Sequence, residues 1–131
     1  MTKEQLEAYR SKKAEIGELT YRLNHFDDGD SMIGNDVVKD YRTGYPRPQS
    51  VVGYDYKRAE RLRKTYRSRI VRLQDECLEV EHWVEAIPDS LTRRIFRMRY
   101  IDGMTQQKIA RKVHMHQTAV SKKISIFLQM E

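Results

Sequence analysis

Apolar side chains recur at helical spacing along the first 26 residues of the chain. Successive members stand three, four or seven positions apart: Leu6, Tyr9, Ile16, Leu19, Leu23 and Phe26. That periodicity predicts an amphipathic helix over about residues 3–26. Thr2 is a candidate N-cap, because Gln5 stands three positions later, as the capping box requires.

A second apolar stripe predicts a longer helix over about residues 56–85. Its positions step by three or four over roughly four heptads, as in a coiled coil: Ala59, Leu62, Tyr66, Ile70, Leu73, Cys77, Val80 and Val84. The first half of this helix is basic and the second half acidic, which opposes the helix macrodipole. An antiparallel partner, either the first helix or a second copy of the chain, would suit that polarity. We therefore expect residues 1–86 to form a hairpin or a coiled-coil stalk, with a possible homodimer through the stalk.

Glycine and proline are concentrated between the two stripes. Four of the six glycines and two of the three prolines lie between residues 27 and 53. This composition predicts a long connecting loop over about 27–53, with residues 37–41 as a possible short docked piece. The aspartates at 27, 28 and 30 lack the ligand spacing and the closing glutamate of a calcium loop, so no metal site is predicted there.

The pattern changes again after residue 86, where short helices with clear end signals are predicted. Pro88 marks a break, and Asp89 or Ser90 can cap the helix that follows. The inward positions of that helix are Leu91, Ile95, Met98, Tyr100 and Ile101. Asp102 and Gly103 end it, since glycine takes positive φ at a helix terminus without strain.

Two further helices with a tight turn between them complete the predicted domain, which covers residues 87–131. Thr105 is a candidate N-cap, and a turn over residues 114–116 leads into the last helix. The inward positions are Ile109, Ala110, Val113, Val120, Ile124, Phe127 and Leu128, with Met115 filling the wedge between the helices. Only a small side chain such as Ala110 allows the two helices to cross steeply. The fold class is therefore all-α, with two long helices followed by a compact three-helix helix-turn-helix domain.

The net charge of +6 is confined to this last domain. Residues 1–86 contain 16 basic and 16 acidic residues, whereas residues 87–131 contain nine basic and three acidic ones. A compact basic segment is typical of a nucleic-acid surface, although a solvated basic face is the alternative on charge alone. The sequence has no glycine-rich phosphate loop, no nucleophile motif and no paired-carboxylate pattern, so we do not expect an enzyme. No cofactor or metal is predicted either. A single cysteine and no long apolar run favour a cytoplasmic protein without a membrane segment.

The helix-turn-helix sequence resembles region four of bacterial sigma factors. The resemblance rests on Ile87-Pro88-Asp89, on Tyr100 through Ala110 and on Thr118 through Ile124. Two positions depart from the family pattern: His114 replaces the usual turn glycine, and Thr118-Ala119 replaces a typical Ser-Thr. Residues 1–86 leave no room for the promoter-melting sigma domain, so we do not expect a complete sigma factor. A helical stalk before such a domain is similar to small phage or prophage late-transcription regulators of the ArpU/RinA kind, which would imply binding at a promoter, beside RNA polymerase.

These observations lead to one favoured function and two alternatives. The favoured one is a sequence-specific regulator of transcription that binds double-stranded DNA. Bases would be read by Gln117, Thr118, Ser121 and Lys122, and phosphates contacted by Arg93, Arg94, Arg97, Lys108, Arg111, Lys112 and Lys123. The alternatives are a phage DNA-packaging or assembly factor carried on an oligomerising stalk, and an adaptor that binds RNA polymerase through protein contacts.

Overall fold

The computed structural model describes residues 1–26 and 48–131, with side chains for 1–26 and 56–131. Every regular element in these ranges is helical, which confirms the all-α class for this part of the chain. The helices are α1 (Lys3–Glu7), α2 (Tyr9–Asn24), α3 (Pro48–Glu85), α4 (Ser90–Phe96), α5 (Gln106–Val113) and α6 (Gln117–Met130). A π-helical segment, Arg97–Ile101, continues α4.

The chain divides into two compact units. One consists of residues 1–14 together with residues 74–131, and the other of residues 15–73. We call the first the recognition unit and the second the stalk unit. The predicted boundary between residues 86 and 87 falls inside the recognition unit, because the first residues of the chain and the end of α3 pack with the three short helices.

The first helical segment begins as its sequence predicts. Thr2 caps α1 in a capping box. Its hydroxyl accepts a hydrogen bond from the backbone amide of Gln5, and the side-chain oxygen of Gln5 accepts one from the backbone amide of Thr2 at 2.8 Å. Ala8 interrupts the segment, so that α1 and α2 replace the single helix predicted over residues 3–26.

Helix α3 begins earlier than predicted. The expected loop extended to residue 53, but the helix starts at Pro48, so the loop prediction is wrong for residues 48–53. Proline suits the first position of a helix because the missing amide would have no intrahelical acceptor there. The short docked piece at 37–41 and the aspartates at 27–30 lie outside the described residues. The other end of α3, at Glu85, agrees with the prediction.

In the recognition unit, α1 and the start of α2 pack against the end of α3. Leu6 and Tyr9 are buried there, as are Cys77 and Val80. Burial raises the pKa of the Cys77 thiol, which fits the predicted role as a small apolar core residue. Burial and a hydrogen bond donated to the Glu81 carboxylate raise the pKa of Tyr9.

Lysines of α2 face the acidic second half of α3. The Nζ atom of Lys12 lies 3.6 Å from a carboxylate oxygen of Glu76, and that of Lys13 lies 3.5 Å from one of Glu81. These pairs place positive charge beside the acidic half of α3. Within the recognition unit, cations from the start of α2 therefore offset part of the negative charge at the end of α3.

An aromatic cluster joins α3, α4 and α6. Phe96 is fully buried, and its ring centroid lies 5.8 Å from that of Trp83, 5.2 Å from that of Phe127 and 5.6 Å from that of Tyr100. Trp83 also contacts Phe127 edge-on at 5.8 Å. The cluster joins α6 to the end of α3, both directly and through Phe96 of α4.

The predicted end signals of the short helices are confirmed. Asp89 caps α4, and Thr105 caps α5 through the amide of Lys108. Gly103 has φ of +72° at the stop after the π-helical segment. The π segment itself was not predicted; its last bond joins the amide of Asp102 to the carbonyl of Arg97, five residues earlier.

The stalk unit has its own small apolar contacts. Leu19, Ala59 and Leu73 are buried. The ring of Phe26 lies 6.0 Å from that of Tyr66, and the guanidinium of Arg63 lies 4.8 Å from the Phe26 ring centroid. No helix in the described ranges is long and apolar enough to cross a membrane.

Replacing Gly103 by alanine should destabilise the protein, whereas the same change at Gly17 should not. An alanine at position 103 would have to adopt the left-handed conformation of Gly103, and its β-carbon would lie 2.3 Å from Nε of Arg10. We expect a loss of at least about 1–2 kcal/mol in the free energy of unfolding. Gly17 lies inside α2 with no atom within 4 Å of such a carbon, so Gly17→Ala should stabilise by about 0.5–1 kcal/mol. Urea unfolding measures both, and equal effects would refute this account.

Candidate nucleic-acid interface

Helices α5 and α6 form a helix-turn-helix with a tight, locally determined turn. His114 takes the left-handed conformation at φ 57° and ψ 47°. This is the position at which the resemblance to sigma region four would place a glycine. The amide of Met115 donates to the carbonyl of Ala110 at 2.9 Å and closes the turn. Ile109 and Ala110 of α5 are buried, as are Val120 and Ile124 of α6, so the two helices meet through their apolar faces. Val113, Met115, Phe127 and Leu128 are only half-buried.

The opposite face of α6 presents polar side chains to solvent. Thr118, Lys122 and Ser125 are exposed and stand four and three residues apart, so they share one face of the helix. Gln117 is exposed in the first turn, and His116 provides no side-chain cap for it. Amides in the first turn of a helix are natural donors to phosphate oxygens. The base-reading assignments stay predictions, but the side chains at 117, 118 and 122 are accessible.

The eleven predicted DNA contacts fall into two groups. Seven are exposed and have neither an ion pair nor a side-chain hydrogen bond among the described residues: Gln117, Thr118, Lys122, Arg94, Lys108, Arg111 and Lys112. The other four are half-buried: Ser121, Lys123, Arg93 and Arg97.

Arg93 and Arg97 are held by other parts of the recognition unit. The Arg97 guanidinium donates twice to the Glu85 carboxylate, both at 2.8 Å, and this bidentate pair lowers the pKa of Glu85. Arg93 donates to the carbonyl of Ile87 at 2.8 Å. These two arginines therefore join α4 and the π segment to the end of α3. Lys123 lies near Asp89 and contributes to the low pKa of that carboxyl.

The first residues of the chain lie beside the recognition helix. Thr2, Lys3 and Glu7 line an open groove of about 600 Å³ together with Ser121 and Ser125 of α6. Ser121 thus faces a groove wall formed by α1, which gives it a different environment from Thr118 and Lys122. The helix-turn-helix pattern contains no information on this neighbour, because the residues are more than 110 positions apart.

Two arginines that the sequence pattern did not single out hold the turn before α5. Arg10 donates to the carbonyl of Ile101 at 3.0 Å and covers Gly103. Arg99 donates to the carbonyl of Met104 at 3.2 Å. The first bond satisfies the last carbonyl of the π-helical segment, where the helix itself offers no donor, and the second satisfies a carbonyl in the turn that follows. They fix the point from which α5 departs.

Residues 89–125 match the family model described as Sigma-70, region 4. The match begins at the N-cap of α4 and ends within α6, so it covers α4, α5, the turn and the first nine residues of α6. It indicates a helix-turn-helix of the sigma region-four type in this part of the chain. No curated protein and no solved structure matches the chain.

Replacing His114 by glycine should stabilise the protein by up to about 1 kcal/mol. Glycine relieves the left-handed strain, and its greater freedom in the unfolded chain offsets part of that gain. His116 provides a matched control because it has φ of −73°, where glycine relieves no strain. We expect His116→Gly to be neutral or destabilising in thermal unfolding. A destabilised His114→Gly variant would show that the imidazole contributes more than its backbone strain costs.

The cap at Asp89 should make stability depend on pH. Hydrogen bonds from the hydroxyl and the amide of Thr92 lower the pKa of Asp89 from its ordinary 3.8. A lowered folded-state pKa gives stability that is present above the unfolded value and is lost as pH falls through the folded value. Asparagine also caps helices but does not titrate.

The difference in free energy of unfolding between wild type and Asp89→Asn should therefore be largest near neutral pH and vanish in acid. Urea unfolding at several pH values measures it. Asp75→Asn is the control, since Asp75 is exposed and has no hydrogen-bond partner among the described residues. A constant difference at Asp89 across the acid range would contradict the assignment.

Proposed function

We propose that this protein is a sequence-specific regulator of transcription that binds double-stranded DNA at a promoter and derives from a phage or prophage. The observation that carries the DNA-binding part is the exposed polar face of α6 within a segment that matches sigma region four. A recognition helix needs short or cationic side chains free to enter a major groove, and Gln117, Thr118 and Lys122 meet that need.

The exposed cations around α6 support the proposal. Arg94 lies on α4, Lys108, Arg111 and Lys112 on α5, and none of them has an ion-pair partner among the described residues. Cations of this kind contact DNA phosphates and set the position of the recognition helix without reading bases. Arg93 and Arg97 would add to the positive field while they brace the domain.

RNA polymerase is the second partner that we propose, since sigma region four works at promoters beside the polymerase. We place the protein in the cytoplasm and propose no catalytic step for it. The architecture with a helical segment ahead of the domain is what suggests the phage regulators of the ArpU/RinA kind.

A selection of genomic DNA fragments bound by the full chain, followed by sequencing, tests the proposal. We expect a short common sequence motif to be enriched. Gln117→Ala should then broaden the preference at one or two base pairs, with discrimination reduced about 5- to 150-fold, the equivalent of a bidentate base contact. Gln129→Ala removes the same amide three turns later on α6 and should leave the motif unchanged.

Two outcomes would overturn the proposal. Enrichment of no motif by the wild-type chain would argue against sequence-specific binding. A uniform loss of affinity on all sequences after Gln117→Ala would show that Gln117 contacts backbone rather than bases.

A further inference from the structure

Helix α3 carries a dense run of positive charge in the stalk unit. Between residues 57 and 72 the chain has eight basic residues and one acidic residue, Glu60. The neutral balance of residues 1–86 conceals this run, because the acids are concentrated elsewhere, notably between residues 75 and 85.

The positions of these residues place most of them on one side of the helix. At 100° per residue, six cations fall within an arc of about 140° that is centred away from the buried Ala59 and Leu73. We call this arc the basic face; it comprises Lys57, Arg58, Arg61, Lys64, Arg69 and Arg72. Arg67 lies outside the arc, and Arg63 is engaged with Glu60 and the Phe26 ring.

All six cations of the basic face are accessible to solvent. Each is classed as exposed, and none forms an ion pair with any other residue in the described part of the chain. An open concavity of about 450 Å³ lies on this face and is lined by Lys64, Thr65, Ser68, Arg69 and Arg72. Small hydroxyl side chains between long cations leave room for an anionic group to approach the helix.

A solvated surface does not account well for this arrangement. Lys57 and Arg61 stand four residues apart, and Arg61 and Lys64, like Arg69 and Arg72, stand three apart. Like charges at these spacings destabilise a helix, and surfaces kept for solubility usually mix both signs. A polyanion lying along the face would remove the repulsion.

We propose that the basic face is a second nucleic-acid site, which binds the phosphate backbone of double-stranded DNA without reading sequence. The face extends over 16 residues, which is roughly 24 Å at the helical rise. Phosphates on one strand are spaced at about 3.4 Å along the duplex axis, so this length spans several of them. The face contains no amide side chain to read base edges, in contrast with Gln117 on α6. The choice of DNA over another polyanion rests on the proposed function.

Charge neutralisation in the full chain tests the proposal. Lys64→Gln combined with Arg69→Gln removes two cations from the basic face. Arg22→Gln combined with Arg67→Gln is the matched control, because it removes the same charge from exposed sites in the same unit but outside the face. Binding to a 30-base-pair duplex is measured over a range of salt concentrations, both for a selected sequence and for an unrelated one.

We expect the basic-face variant to lower the slope of log affinity against log salt by about 2 and to weaken binding roughly 50-fold at 0.1 M salt on both duplexes. The control variant should keep the wild-type slope. Thermal unfolding of all variants excludes a loss of fold as the cause.

The remaining outcomes each contradict one specific claim. An unchanged slope, or equal changes in both variants, overturns the basic face as a site. If the basic-face variant loses binding to duplex RNA or to polyglutamate while its DNA binding is intact, the assigned partner is wrong. A slope change that occurs although the chain selects no DNA motif would support the basic face and refute the proposed sequence-specific function, so the two proposals fail separately.

Discussion

Phe96 lies where α3, α4 and α6 meet, and the position of α6 against the end of α3 depends on its burial. It is enclosed by Trp83 from α3, Tyr100 from the π segment and Phe127 from α6. Burying a phenylalanine side chain contributes about 1.5–3 kcal/mol, and edge-on ring pairs add about 0.5–1.5 kcal/mol each. A short helix such as α4, with seven residues, has little stability in isolation. Packing on this ring, rather than helix propensity, therefore holds α4 and α6 against the end of α3.

Basic side chains fall into two classes, those paired with acids and those exposed without such a pair among the described residues. In the recognition unit, basic side chains near the end of α3 are matched with acids: Lys12 with Glu76, Lys13 with Glu81 and Arg97 with Glu85. Exposed pairs of this kind contribute little energy, but they fix which surfaces meet. The six cations of the basic face, and the exposed cations Lys108, Arg111, Lys112 and Lys122 of α5 and α6, have no ion-pair partner among the described residues.

Local signals in the sequence predicted the ends of the short helices well. Thr2, Asp89 and Thr105 cap helices, and Gly103 and His114 take positive φ. Such features can be predicted because each depends on only a few neighbouring residues. Periodicity also predicted the core positions Ile109, Ala110, Val120 and Ile124.

Features that depend on distant residues were not predictable in this way. Phe96 follows the predicted core residue Ile95 but was not among the predicted inward positions. It is buried because Trp83 of α3 and Phe127 of α6 pack against its ring. Arg10 and Ile101 are 91 residues apart in the sequence. Ser121 is farther still in sequence from the α1 residues that line the same groove. Pro48 was assigned to a loop from composition, although proline is favoured in the first turn of a helix.

The aromatic cluster also gives the protein a natural optical reporter. Trp83 is the only tryptophan in the chain, and its ring lies 5.8 Å from Phe127 of the recognition helix. Its indole Nε1 lies 3.3 Å from a carboxylate oxygen of Glu131, just beyond the end of that helix. Indole emission is sensitive to the polarity and quenching groups around it. Fluorescence from this single site therefore reports whether α6 is docked on α3, without any label and without interference from a second emitter of the same kind.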